Sequence, residues 1–378
     1  MLLEFGAENF CSFKEGFEIS FQKSKNSTED IANIIAVKGA NASGKTNILK
    51  ALSFLHDFIL NSFSNLKPDE DINMSSFFKN KERTLLYIIF LEKNIEYKYE
   101  IQLTNKKIIS EKIWKKDKRE TLVVERDDAL ITTTKEFKEL EIINLNRKNA
   151  SIVSLAKQYG LNELDMIYNF FNSIFSNVDI IGHNKNLFDD FNGISKLYFD
   201  DSNMLSFIIK FLKKSDIGLH DIKILSKKDE ETGLLTYFPT FEYKVNDTIT
   251  TLNYYEQSAG TQLLFTQLSL YKLVIHLGSL LVLDEFDISL HPDLLPMLLE
   301  LFEDKESNPK NAQLILTTHN YDIMDRLGKY KTVLVNKVDN ESFLYRLDEI
   351  PGDIIRNDRP ISPIYNANKI GGKPKIKA

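Results

Sequence analysis

The sequence predicts an α/β fold with a largely parallel central sheet, and three observations carry that expectation. A β-branched strand, a glycine-rich loop and an apolar-periodic helix follow one another near the N-terminus; an apolar strand later delivers two adjacent carboxylates; and a third apolar run ends at a histidine. The intervening segments add an N-terminal β subdomain and an inserted helical lobe. The predicted division is 1–126 for the first part of the α/β body with its glycine-rich loop, 127–246 for the lobe, and 247–378 for the rest of the body.

Taken in order, Leu2 to Phe21 alternates in a way that suits two short strands with a turn near Lys14-Glu15-Gly16, and a polar loop, Lys23 to Asp30, follows. Ile31 to Val37 reads as a short strand leading into Gly39, after which Ile48, Leu52, Leu55 and Ile59 recur at helical spacing. From Thr84 to Leu103 two apolar runs flank Glu92-Lys93-Asn94, the pattern of a β-hairpin, and strand-like sequence continues to about Val124. Between about Asp127 and Asn246 the pattern reads as helical segments separated by Asn/Asp/Gly breaks such as Gly182 to Gly193, without sustained heptads. After Thr250 a helix from about Gly260 to Leu277, a buried strand Leu280 to Leu283, another helix and a strand Leu314 to Thr318 restore the α/β alternation.

Bulk properties set the outer limits. The 378 residues are 43% hydrophobic, enough to build cores for two or three domain-sized units. A net charge of -6, from 48 Lys+Arg against 54 Asp+Glu, gives no global attraction to nucleic acid. The single cysteine, Cys11, cannot form an intramolecular disulfide, so nothing points to an oxidising compartment. The N-terminus carries Glu4 and Glu8 inside its apolar stretch, unlike a secretion signal. The most apolar region, Leu263 to Leu283, is broken by Gln267, Lys272 and His276 and falls short of the ~20 uninterrupted residues of a membrane span. The expectation is a cytoplasmic protein with no membrane contact.

The chemistry concentrates in a few places. Gly39-Ala40-Asn41-Ala42-Ser43-Gly44-Lys45-Thr46 fits G-x-x-x-x-G-K-[ST]. Its glycines let backbone N–H groups wrap a phosphate, Lys45 reaches the β/γ oxygens, and Thr46 is placed to hold Mg²⁺. The required context, strand before and helix after, is present. Asp284 and Glu285 stand at the C-terminal end of Leu280 to Leu283, where ligands bind in open α/β sheets. There Asp284 would bind Mg²⁺ through water and Glu285 would polarise an attacking water. His319 follows the strand Leu314 to Thr318 directly, at the position for a γ-phosphate sensor. His291 follows the acid pair closely and stays open between site and scaffold; His56, His183, His220 and His276 form no metal-ligand spacing and read as structural. Ser258 and Gly260, in Glu256-Gln257-Ser258-Ala259-Gly260-Thr261-Gln262, precede an amphipathic helix, a position that is either an anion site or a plain helix cap.

The segments GANASGKT, SAGTQ, LLVLDE and TTH, in that order, resemble the ABC-type heads of the SMC, RecF and OLD-like ATPases. The resemblance is greatest to the RloA-type bacterial AAA ATPases of abortive-infection and restriction-linked gene pairs. The opening ENFCSFKE is similar to their N-terminal N-F-x-S-F-K strand, and Ile370-Gly371-Gly372-Lys373-Pro374 to their terminal G-G-x-P. The resemblance implies ATP and Mg²⁺ as cofactors, with Lys45 and Thr46 on phosphate and metal, Asp284 on the metal, Glu285 on the water and His319 on the γ-phosphate. Ser258 and Gly260 would serve the nucleotide of an opposing subunit in a homodimer or higher homo-oligomer. The signature departs from L-S-G-G-Q at Gln257, Ala259 and Thr261, and the glutamine that usually follows the P-loop helix has only Gln102 as a candidate.

OLD-like proteins add a Toprim nuclease after the head, for which the segment after His319 is too short, so a nuclease or toxin effector is expected on a separate chain. The implied function is a nucleotide-gated switch in anti-phage defence. Two alternatives remain at this point. A DNA repair or recombination head would use the basic cluster Lys106, Lys107, Lys112, Lys115, Lys116, Lys118 and Arg119, which is interleaved with Glu111, Asp117 and Glu120. A transporter nucleotide subunit is the less similar of the two.

Overall fold

The computed structural model describes residues 1–23, 31–127, 130–143, 145–184, 190–216, 218–228, 233–288, 290–352, 354–356 and 359–373. Most of the predicted loop Lys23 to Asp30, part of the break between Gly182 and Gly193, and Pro374 lie outside these residues. The chain divides into two compact units: Met1–His183 with Gly278–Phe286 and Asn311–Ala378, and Asn184–Leu277 with Asp287–Lys310.

In chain order the first unit holds β1 (Leu2–Glu8), β2 (Phe17–Ser20), β3 (Ile34–Gly39), α1 (Lys45–Asn65), β4 (Thr84–Glu92), β5 (Ile95–Leu103), β6 (Ile108–Lys116), β7 (Glu120–Asp127), β8 (Leu130–Thr133), α2 (Ile152–Gln158), α3 (Asp165–Asn172) and β9 (Ile174–Ser176). The second unit takes α4 (Phe191–Asp200), α5 (Ser202–Ser215), β10 (Leu219–Lys228), β11 (Leu235–Val245), β12 (Thr248–Asn253) and α6 (Ala259–Leu277). The chain returns to the first unit for β13 (Leu280–Leu283), leaves it for α7 (Leu295–Glu303), and comes back for β14 (Gln313–Thr318), α8 (Tyr321–Leu327), β15 (Thr332–Val338), β16 (Glu341–Arg346) and α9 (Ser362–Asn366).

The central sheet has the order β16-β15-β3-β14-β13-β9. Every pairing in it is parallel except that of β15 with the edge strand β16. Strands β3, β13 and β14 are buried along their whole length, which is why they read as continuous apolar runs instead of alternating ones. The outer sheet, β2-β1-β4-β5-β6-β7-β8, is antiparallel throughout, and β4 and β5 alternate buried and half-buried as a one-sided sheet requires. The expected hairpin closes at Lys93 and Asn94, both with positive φ (49° and 64°), the pair of left-handed residues that a type I′ turn needs.

Gln313 ties the two sheets. Its side chain accepts from Leu2 N at 2.6 Å and donates to the Leu2 and Ala32 carbonyls at 2.9 and 3.3 Å. A second buried polar link joins the outer sheet to α2. Glu111 on β6 accepts from Tyr99 Oη (2.7 Å) and Ile152 N (3.0 Å) and faces Arg126 on β7, whose Nη1 and Nη2 also donate to the Ala150 and Arg147 carbonyls. Burial pushes the Glu111 carboxyl up, opposed by the Arg126 guanidinium.

The segment 127–246 holds the helices α2, α3, α4 and α5 but departs from its helical prediction elsewhere. Residues 127–183 of it belong to the first unit and supply β8, α2, α3 and the edge strand β9. Its end, from Leu219, is strand rather than helix: β10 and β11 pair antiparallel and are extended by β12 just beyond the segment. Strand β10 carries Ile222 and Ile224 on either side of Lys223, a period of two that favours strand over helix. In the second unit α4 meets α6 through Tyr198, whose hydroxyl donates to the Phe265 carbonyl at 2.5 Å while the two rings pack edge to face. No helix among the described residues is long and apolar enough to cross a membrane.

Candidate functional site

The predicted loop and strand ends come together at the C-terminal edge of the central sheet. Register places Val37 of β3 opposite Thr317 of β14, and Leu283, the residue before Asp284, opposite Leu316. Gly39 ends β3, Asp284 and Glu285 follow β13, and His319 follows β14, so adjacent parallel strands deliver all four to one level.

The loop from Gly39 to Thr46 has the backbone of an anion cradle. Ala42 (φ 59°) and Gly44 (φ 111°) are left-handed, and Gly44 stands at the N-cap of α1 with no side-chain cap, which leaves the first N–H groups of the helix for a ligand. Gly44 has to be glycine on a second ground: a Cβ there would lie 2.7 Å from Ser342 Oγ and 2.8 Å from Ser12 Oγ. Those two hydroxyls, 2.7 Å apart, brace the loop from behind, with Ser342 donating to the Ser43 carbonyl (2.7 Å) and Asn47 to Ser12 Oγ (2.9 Å). Lys45 is buried, and its Nζ donates to the Gly39 and Ala40 carbonyls, both at 3.0 Å. Asn41 is exposed at the loop tip, and Ser43 Oγ is buried with no hydrogen-bond partner, an orphan polar group inside the cradle.

Asp284 is 3% exposed and held on every side. Thr46 Oγ1 donates to its Oδ2 at 2.8 Å and Thr317 Oγ1 to its Oδ1 at 2.5 Å. Thr317 also accepts from Glu285 N at 2.8 Å. Asn177, just past β9, clamps the Asp284 peptide: its Oδ1 accepts from Asp284 N (2.7 Å) and its Nδ2 donates to Asp284 O (3.0 Å). A threonine hydroxyl against a buried carboxylate is a hard oxygen donor set of the kind Mg²⁺ takes, so the residues present fit the ion. Glu285 is exposed and non-glycine at φ 55°, in the left-handed region that L residues seldom adopt.

His319 is exposed at the end of β14, and its carbonyl accepts from Lys38 Nζ at 2.6 Å. Ser258 and Gly260 belong to the second unit. Ser258 Oγ accepts from Thr261 N at 3.2 Å, so it caps α6 as the plainer reading expects. His291, also in the second unit, is a cap as well, accepting from Asp293 N at 3.3 Å. Gln102 lies on β5 and accepts from Arg83; the amide side chain that stands with Asp284 is Asn177. Sequence reading missed Asn177, Ser12, Ser342 and Lys38. Thr317 lies inside the TTH segment and Ser12 inside ENFCSFKE, so those two had a local signal.

This sheet, loop and acid pair define a P-loop NTPase. The chain belongs to the family described as "AAA domain, putative AbiEii toxin, Type IV TA system", whose model matches residues 34–325. Among solved structures it is similar to the SmcHead bound to the C-winged helix domain of ScpA, at 15% identity and a TM-score of 0.51, over 91% of this chain and 96% of that one. That likeness shows the fold of an SMC ATPase head. It is also similar to the SMC head domain from Thermotoga maritima (16% identity, TM-score 0.46, covering 91% and 98%). A third similar structure is the Smc head domain with a coiled coil and joint from Pyrococcus yayanosii (10%, 0.48, covering 97% and 99%). No curated protein sequence matches the chain.

The Asn177 clamp gives a direct expectation. Asn177→Ala leaves the buried N–H and C=O of Asp284 without partners, which costs about 1–3 kcal/mol. It should lower the melting temperature and weaken Mg²⁺-dependent nucleotide binding more than Mg²⁺-free binding. Equal loss in both would show that Asn177 supports the fold and not the metal carboxylate.

Proposed function

We propose that the chain binds and hydrolyses ATP with Mg²⁺, and that two copies close around nucleotide as a switch controlling a separate effector in anti-phage defence. The observation that carries the reading is the Asp284 carboxylate, bonded to Thr46 beside the uncapped start of α1. Lys45 and the loop N–H groups from Ala42 to Thr46 bind the β/γ-phosphates, and Thr46 and Asp284 hold the metal. When bound, Mg²⁺ neutralises charge developing on the phosphate oxygens. Glu285 orients the attacking water and accepts its proton, and His319 contacts the γ-phosphate. The Ser258 helix start of an opposing copy completes the nucleotide site from its other side.

The abortive-infection part of the proposal, and kinship with the RloA-type ATPases, draw on the motif resemblance and on the family's description, which names an AbiEii toxin and a type IV TA system. A DNA repair or recombination head is the less supported alternative. Of its basic cluster, Lys106, Lys112, Lys115 and Lys116 are paired with Asp71, Glu125, Glu136 and Glu96.

Both readings meet in one experiment on the purified chain. ATP turnover should require Mg²⁺ and be indifferent to random duplex DNA, with any DNA complex lost by physiological salt. Absence of turnover would overturn the hydrolytic proposal, and a tight complex that survives that salt would favour the DNA-bound alternative.

A further inference from the structure

Lys38, the residue before Gly39, is 2% exposed at the end of β3, a strand whose preceding residues are Ile34, Ile35, Ala36 and Val37. Burying an ammonium is costly unless its donors and charge are met, and an aliphatic residue would fill this strand position at no such cost. Here the charge is met. Lys38 Nζ donates to the carbonyls of His319 (2.6 Å) and Asn320 (3.2 Å) and lies 4.2 Å from the Tyr321 ring centroid and 5.3 Å from that of Tyr365.

Tyr365 is held in turn by the C-terminal segment. Its hydroxyl donates to the Gly372 carbonyl at 2.7 Å, and Gly372 N donates to Asn336 Oδ1 at 2.6 Å. Gly371 and Gly372 both have positive φ (73° and 77°), and a Cβ would stand 2.5 Å from Tyr345 Oη at Gly371 and 2.9 Å from the Tyr365 ring at Gly372. Neither position admits a side chain without moving a ring that the turn supports. Asp325 of α8 fastens the other end, accepting from Ile361 N and Ser362 N at 2.6 and 2.7 Å.

We infer that the Gly371-Gly372 turn and Tyr365 hold Lys38 as a positioning residue that fixes the His319-Asn320 backbone at the end of β14. The inference rests on the proposed role of His319 at the γ-phosphate. Through one buried cation, the C-terminal segment and its glycine pair set the switch histidine with no contact of their own to nucleotide.

The test uses the full chain, with Lys38→Met, Tyr365→Leu and His319→Ala. Lys38→Met should keep nucleotide affinity within about twofold and lower kcat about tenfold, the split expected of a group that acts only in the reaction step. Combined with His319→Ala it should cost no more than His319→Ala alone, because the two act as a unit. Hydrogen exchange over residues 319–323 should rise about tenfold in Lys38→Met and also in Tyr365→Leu, which leaves the lysine in place should Lys38→Met fail to fold. Unchanged exchange in these variants, additive losses in the double variant, or an affinity loss as large as the kcat loss would each overturn the inference. A wild-type chain without turnover would sink the hydrolytic reading separately, and the exchange result would then decide the positioning by itself.

Discussion

Lys45→Ala abolishes measurable ATP binding while the protein stays folded: that is the expected result for the residue with the most at stake in the site. Lys45 is the buried cation of the loop, and its Nζ lies at the start of the loop, on the carbonyls of Gly39 and Ala40. A charge-assisted contact to phosphate is worth roughly twice a neutral one, and truncation also leaves the neighbouring phosphate oxygens without their counter-charge. A loss of at least about 3 kcal/mol, or more than about a hundredfold in affinity, follows. The fold loses much less. Loop geometry is held independently by Ser342 on the Ser43 carbonyl and by the fixed backbone at Ala42 and Gly44, so the stability change should be about 1 kcal/mol. Calorimetric titration and a melting curve separate the two effects. A variant that binds ATP as tightly as the parent would mean that the phosphates sit elsewhere.

Those parts of the site that are local in sequence are legible from the amino-acid order alone. The loop from Gly39 to Thr46, the acid pair after β13 and the histidine after β14 each carry their chemistry within a few residues of an apolar run, and burial on both faces makes such runs conspicuous. The Lys93-Asn94 turn is legible because it, too, is flanked by apolar runs. The supporting groups are not. Asn177 clamps a residue 107 positions away and directly follows a strand only three residues long, too short to show a period. Ser342 reaches Ser43, and Lys38 reaches His319, through strand register, which a single sequence does not encode. The β10-β11-β12 sheet is hidden for a different reason. Strand β12 is almost wholly exposed and threonine-rich, and β10 becomes exposed toward Lys228, so the apolar alternation that marks a one-sided strand is present over only part of each.

Glu285→Gln should leave ATP binding intact and slow hydrolysis by about a hundredfold or more, the scale of a lost general base. The substitution keeps size and the backbone bond from Glu285 N to Thr317, so Asp284 and its two threonine partners stay as they are. ATP would then persist on the protein. If a second copy completes the site through Ser258 and the start of α6, the persistent nucleotide should hold two copies together, and the variant should accumulate as an ATP-dependent dimer or larger assembly in light scattering. Ser258 is exposed, and its hydroxyl bonds only locally to Thr261, so Ser258→Arg puts bulk and a cation at that helix start without disturbing a core. Added to Glu285→Gln, it should return the protein to its nucleotide-free mass while ATP still binds each copy. The same mass with and without ATP, unmoved by Ser258→Arg, would remove nucleotide-driven assembly from the proposal. Unchanged turnover in Glu285→Gln would be the more damaging outcome, because the water would then have to be activated by a group other than the one that the turn at the end of β13 presents.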